Sequence, residues 1–267
     1  VLIMYVDSHC HLSFPELAAR LPEIRAEMKA AAVDRALCIC TTLEEFEQVH
    51  QLATTCDELW ASVGVHPDTE RMLEPSVEDL VALAARPKVV AIGETGLDYF
   101  RLNGRSVAEM EWQRERFRVH IRASLATGKP LVIHTRSASN DTLAVLREEG
   151  RDRARGVFHC FTETKEVARA ALDLGCSISF SGILTFKNAH ELRDVARYVP
   201  LERCLIETDS PYLAPVPFRG KTNTPALVPH VARQLAELKG LALEEVASAT
   251  ARNFESLFGV PPAAAAS

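Results

Sequence analysis

Near the start of the chain, the stretch VDSHCHL at residues 6–12 sets His9 and His11 on either side of Cys10. Alternate side chains of a strand share a face, so the two imidazoles project together and Cys10 points the other way, toward packing. Such a pair can chelate a cation, although a lone His-x-His is equally at home at a polar strand end. Further histidines and carboxylates follow apolar runs in the same manner: His66 in GVHP, Glu94 in IGETGLDY, His134 in IHTR, His159 in FHCF and Asp209 in ETDSP. Taken singly, each reads as a core histidine bonded to backbone or as a carboxylate capping a loop. Packed together without a counter-charge they would carry a heavy cost of desolvation and repulsion, which one or two divalent cations would remove. Mixed imidazole and carboxylate donors suit Zn or Mn and admit Mg with retained waters. The arrangement expected is two ions bridged by Glu94, with His9, His11 and Asp209 on one and His134 and His159 on the other. A pair of cations so held supports hydrolytic phosphoryl transfer.

That chemistry requires elements that bring distant residues to one place. Short β-branched runs alternate with longer amphipathic stretches, the pattern of repeated β-α units. Strands are expected at 5–12, 35–42, 59–67, 89–99, 130–136, 155–161, 177–182 and 204–211. A helix is expected over 107–127, opened by a Ser106/Glu109 capping box, striped by Phe117, Ile121 and Leu125, and stopped at Gly128. Another starts at Thr224 as N-cap before Pro225, with Leu227, Val231, Leu235 and Leu238 inward and Gly240 closing, and a last one covers 243–258. Eight strand-helix units indicate an α/β fold, a single-domain (β/α)8 TIM barrel over residues 1–260 with 261–267 as a short flexible tail; an open doubly wound sheet is the alternative. In a barrel the C-terminal strand ends converge on one face, and that is where His9, His11, His66, Glu94, His134, His159 and Asp209 fall.

The remaining composition narrows the function class. With 47% hydrophobic and 25% charged residues, the chain is neither disordered nor membrane-like. A net charge of −6 argues against a broad basic face for duplex DNA but permits a local basic pocket, with salt-sensitive, weak nucleic-acid binding. Seven cysteines without C-x-x-C spacing read as reduced and mostly buried, Cys38, Cys40 and Cys204 among them. No secretory pattern or membrane-length apolar run is present, so a cytoplasmic address is expected, with no membrane association and no obligate protein partner inferable.

The ordered motifs DSHCHL, GVHP, IGETGLDY, IHTR, FHCF, ETDSPYLAPVP and RGKTNTP closely resemble those of the TatD family of metal-dependent deoxyribonucleases, over almost all of residues 5–258. The resemblance implies a nuclease that removes nucleotides from DNA ends in the 3′ to 5′ direction. It carries metal ligation onto His9, His11, Glu94, His134, His159 and Asp209, the residues that spacing had singled out. Glu94 and Asp209 are the expected catalytic pair, Asp209 accepting the proton of the nucleophilic water. For substrate phosphate the candidates are His66, Arg136 and the loop residues Arg219, Gly220 and Lys221, helped by Asn223, because phosphodiester chemistry needs matched donors. Lys187 is a weaker candidate, and Tyr99 and Phe100 are candidates to stack a base. Thr224 stands where the family often has an acidic residue, and Ser137 where it often has Asp, which touches substrate preference rather than reaction class. Two other readings remain: a metal-dependent amidohydrolase or lactonase acting on a small carbonyl substrate, and a non-catalytic barrel that only binds. Related barrels often bridge their metals with a carboxylated lysine, whereas here the fourth strand offers Glu94 and Lys88 precedes it, which favours the nuclease branch.

Overall fold

In the computed structural model, which describes residues 3–262, the eight apolar runs form eight strands. They are β1 (Tyr5–Cys10), β2 (Val33–Cys38), β3 (Leu59–Val63), β4 (Val89–Asp98), β5 (Leu131–Arg136), β6 (Gly156–Phe158), β7 (Ser177–Phe180) and β8 (Cys204–Ile206). Each pairs in parallel with the next, in the order β1 to β8, as short β-α units with right-handed crossovers dictate. The helices are α1 (Pro15–Ala18), α2 (Leu21–Ala30), α3 (Phe46–Thr55), α4 (Val77–Ala84), α5 (Glu111–Thr127), α6 (Ser139–Gly150), α7 (Lys165–Asp173), α8 (His190–Tyr198), α9 (Val228–Lys239) and α10 (Leu243–Phe258). This is a single (β/α)8 barrel; of the tail expected at 261–267, residues 263–267 lie outside the described residues.

The period of two along each strand sorts side chains between two apolar layers. Leu131 and Ile133 of β5 pack outward with the helices, while Val132 joins Val6, Leu37, Val90, Val157 and Leu205 in a plug that Phe254 and Phe258 of α10 complete. Each such side chain removed from water contributes about 1.5–3 kcal/mol, so this plug is a firm floor for whatever sits above it.

Three expectations need correction. The strands are shorter than the apolar runs suggest: His11, His66, His159 and Asp209 lie just past the ends of β1, β3, β6 and β8, and only His9, Glu94 and His134 lie within strands. At β6 and β8 the ladder stops short of a bend at the mouth, with positive φ at Cys160 and Asp209. The segment at 107–110 is a 3-10 turn before α5; there the Glu109 carboxylate accepts from both the backbone N–H and the hydroxyl of Ser106. Thr224 makes no side-chain cap, and Pro225–Leu227 is likewise a 3-10 turn, so α9 begins at Val228.

The β1–β8 seam is slender. Among the described residues its backbone pairing is one bridge, Cys10 to Ser210, with bonds from Asp209 N–H to the His9 carbonyl and from His11 N–H to the Ser210 carbonyl, each 2.9 Å, and buried side chains add to it: Asp7 accepts from the N–H and hydroxyl of Thr208, and the Ser8 hydroxyl donates to the Ile206 carbonyl. The barrel therefore closes through the backbone of candidate site residues.

Candidate metal centre

β1 delivers His9 and His11 as strand alternation demands, with their Nε2 atoms 3.3 Å apart and Cys10 buried on the other face. β8 runs on to Asp209, whose Oδ1 lies 3.3 Å from His11 Nε2 and 3.5 Å from His9 Nε2. Glu94 rises from β4 between glycines whose smallness lets β4 approach β5: a Cβ on Gly96 would stand 1.9 Å from the His134 carbonyl oxygen, and one on Gly93 2.7 Å from that of Val132. Glu94 then divides its two oxygens. Oε2 faces His9 Nε2 at 3.3 Å and His11 Nε2 at 4.0 Å. Oε1 faces His159 Nε2 at 2.8 Å, His134 Nδ1 at 3.2 Å and His66 Nε2 at 3.3 Å.

Two donor groups thus share one carboxylate, and their chemistry fits divalent cations. Four of the separations among His9, His11, Asp209 and Glu94 Oε2 are 3.3–3.5 Å, close to the ligand-to-ligand edge of about 3.3 Å expected for tetrahedral bonds of about 2.0–2.1 Å, and the fifth, His11 to Glu94, is 4.0 Å. His159 Nε2 is buried without a hydrogen-bond partner despite its closeness to Glu94, as expected of a nitrogen whose lone pair serves another centre. Among the described residues no lysine or arginine pairs with Glu94 or Asp209; histidines alone face them.

The electrostatics express the same demand for positive charge. Burial disfavours ionised Glu94, yet His159, His66 and His9 around it hold the carboxyl well below its ordinary range. Burial likewise opposes ionised Asp209, and the bond from His11 with the charges of His9 and His159 outweighs it and lowers it. Burial works against a protonated His159 or His66, but Glu94 with Glu207 raises the first well above the usual value, and Glu94 with Asp68 raises the second to about 10. His9 moves the other way, lowered by burial and by His159. Protons here take the place that a cation's charge would fill.

A second ring of carboxylates orients the imidazoles. Asp98 Oδ2 holds His134 Nε2 at 2.9 Å, turning Nδ1 toward Glu94, and Glu207 Oε1 holds His159 Nδ1 at 3.2 Å, turning Nε2 inward. The sequence reading missed both, although Asp98 follows Glu94 in the same motif and Glu207 precedes Asp209 by two residues. It also missed Asp68, which hydrogen-bonds His66 Nδ1, and Arg101, which lines the mouth.

Above the cluster opens a cavity of about 750 Å3. His66, expected at a substrate phosphate, lies against Glu94 in the cluster itself and also faces this cavity, as does Arg136, whose guanidinium carbon is 3.6 Å from the centre of the exposed Phe100 ring. Arg219, Gly220, Lys221 and Asn223 do not line it. Asn223 is buried, its side-chain amide donating to the carbonyls of Thr208 and Tyr212, so it braces the loop after β8 instead of meeting substrate. Tyr99 is also braced rather than free to stack: its hydroxyl donates to Asp141 and accepts from Arg114. Phe14, stacked 4.6 Å from His11, and Tyr212 supply aromatic walls.

Comparison with known proteins agrees with this architecture. The model of the TatD related DNase family matches residues 6–259. An uncharacterized metal-dependent hydrolase of Escherichia coli K12, YcfH, is 49% identical over 259 residues, covering 96% of both chains. A protein of Citrobacter rodentium named 3′-5′ ssDNA/RNA exonuclease TatD is 35% identical over 245 residues, 89% of this chain and 91% of that one. The solved structure of YjjV, a TatD homologue from Escherichia coli K12, superposes with a TM-score of 0.90 at 29% identity, covering 98% of this chain and all of the other.

Proposed function

This chain belongs to the TatD-related DNase family, and from that premise and the mouth of its barrel we propose a divalent-metal-dependent deoxyribonuclease that releases nucleotides from 3′ ends. The carrying observation is the division of Glu94, Oε2 toward His9, His11 and Asp209 and Oε1 toward His66, His134 and His159. His9, His11 and Asp209 would hold one ion and His134 and His159 the other, with Glu94 available to both through its two oxygens. Mg, Mn or Zn held there would lower the pKa of water and offset charge developing on phosphoryl oxygens.

The protein's own residues supply the rest. Asp209, kept ionised by the surrounding histidines, is the acceptor for the proton of the attacking water. Arg136 and Arg101 offer guanidinium forks to the phosphate, and His66, steadied by Asp68, donates from the wall. The named activity of the Citrobacter relative supports an oligonucleotide substrate. Seven free cysteines, six of them buried, fit a reducing cytoplasm; among the described residues no helix is long and apolar enough to cross a membrane.

The test is an incubation of end-labelled DNA and RNA oligonucleotides with Mg, Mn or Zn, comparing the native protein with Glu94→Ala. Stepwise loss of 3′ nucleotides is expected, falling at least about 1000-fold in the variant, since the one group shared by both donor sets is gone. A native protein that releases nothing under any metal, or a variant that matches it, sinks the proposal.

A further inference from the structure

The triplet Arg219-Gly220-Lys221 carries two cations that the mouth does not use. They end a ridge formed by two loops, one after β7 and one after β8. The ridge begins at the mouth, where Ile183 and Leu213 line the cavity and Gly182 packs so tightly that a Cβ on it would stand 2.0 Å from the Leu213 carbonyl oxygen. One step outward, Val216 N–H donates to Thr185 Oγ1 at 2.9 Å. Beyond that, the Arg219 guanidinium carbon lies 3.6 Å from the centre of the Phe186 ring, and Lys221 Nζ lies 5.9 Å from that of Phe218. Successive contacts thus pair residues 182, 185 and 186 with 213, 216 and 219, fastening the loops from the cavity to an exposed cationic and aromatic end.

Charge at that end is unspent. Arg219, Lys221 and the neighbouring Lys187 are exposed and form no ion pair among the described residues, like Arg101 and Arg136 at the mouth and unlike Arg20, Arg25 and Arg105, which each meet a carboxylate. Cations alternating with rings are what a single strand of nucleic acid recognises, phosphates on the charges and base faces on the rings. A duplex would present its bases stacked inside and gain only the phosphate contacts.

We propose that the ridge from Ile183 and Leu213 to Arg219 and Lys221 is a track for the part of a single-stranded polynucleotide that lies beyond the bond being cut. The proposal rests on the nuclease reading and deepens it: Arg219 and Lys221 hold distant nucleotides, not the scissile phosphate. Affinity should therefore grow with strand length, and the growth should belong to the ridge.

The experiment measures fluorescence anisotropy with the full-length, metal-loaded protein and labelled DNA and RNA strands whose 3′ linkages are phosphorothioates, so that binding is read without cleavage. The strands are a dinucleotide and one of about twelve residues, long enough to exceed the mouth. The native protein should bind the longer strand at least about 10-fold more tightly at low salt. In Arg219→Ala/Lys221→Ala that ratio should fall to within about 3-fold, and the slope of log affinity against log salt should shrink by about 1.4 for two lost phosphate contacts on a single strand. Phe186→Ala should lower the ratio without changing the slope, separating base stacking from charge. A native protein whose affinity ignores length, or a double variant that keeps both ratio and slope, overturns the track. Cleavage of the same strands with ordinary linkages is scored separately: a protein that cuts nothing yet shows ridge-dependent binding refutes the nuclease reading alone, and one that cuts but shows no ridge dependence refutes the track alone.

Discussion

Imidazoles have two nitrogens, and a metal site needs one of them aimed. Asp98 and Glu207 do the aiming for His134 and His159, and each is itself largely shielded from water. Asp98→Ala and Glu207→Gln should each weaken metal binding about 10- to 100-fold, read by competition with a chromophoric chelator, and excess metal should restore turnover. Loss that added metal cannot rescue would instead mark the pair as scaffold. The sequence makes the inner donors legible because each ends an apolar run. It hides the outer pair because their partners stand 36 and 48 positions away, and nothing local says which carboxylate will meet which ring. Asn223 misleads for the opposite reason: a polar residue beside RGK looks exposed until the loop folds over it and spends its amide on Thr208 and Tyr212.

Between elements, the joint that sets the β3 loop is a hydrogen bond from Val65 N–H to His120 Nε2 at 3.0 Å, while His120 Nδ1 donates to the Arg116 carbonyl at 2.8 Å. Only the neutral ring can do both. Burial pushes His120 down to about 4, whereas an unfolded histidine titrates near 6.5. The unfolded chain therefore binds more protons between those values. The contribution, on the order of 3 kcal/mol, is fully present above about 6.5, declines as pH falls through the window and is gone at about 4. Urea melts at several pH values should show a shallower acid slope for His120→Gln than for the native protein; equal slopes would assign the acid sensitivity elsewhere. Element order and strand starts were readable from alternation of apolar runs. Their ends were not, because at β6 and β8 the ladder stops short of a bend at the mouth, and 3-10 turns precede α5 and α9 where the pattern alone reads as continuous helix.

For the whole barrel, the thinnest backbone pairing adjoins the donor cluster, since the single β1–β8 bridge, Cys10 to Ser210, sits beside His9, His11 and Asp209. A cation held by residues of both strands would staple that seam. Saturating metal at about 100 times its dissociation constant would add about 2.7 kcal/mol, or roughly 5–10 °C in melting temperature. Chelation should remove that increment and speed amide exchange at His11 and Asp209 ahead of the other strands; an unchanged melting point would show that the ions do not prefer the folded state, and a lowered one with unchanged exchange at those two amides would show that they bind without bracing the seam. The same joint has a bearing on biosynthesis. Its halves are about 200 residues apart, so a growing chain that has already displayed His9 and His11 still lacks Asp209 for most of its synthesis. The centre comes into being only as the last strand arrives beside the first, and a nascent chain anchored amid messenger RNA carries a site short of Asp209 until then.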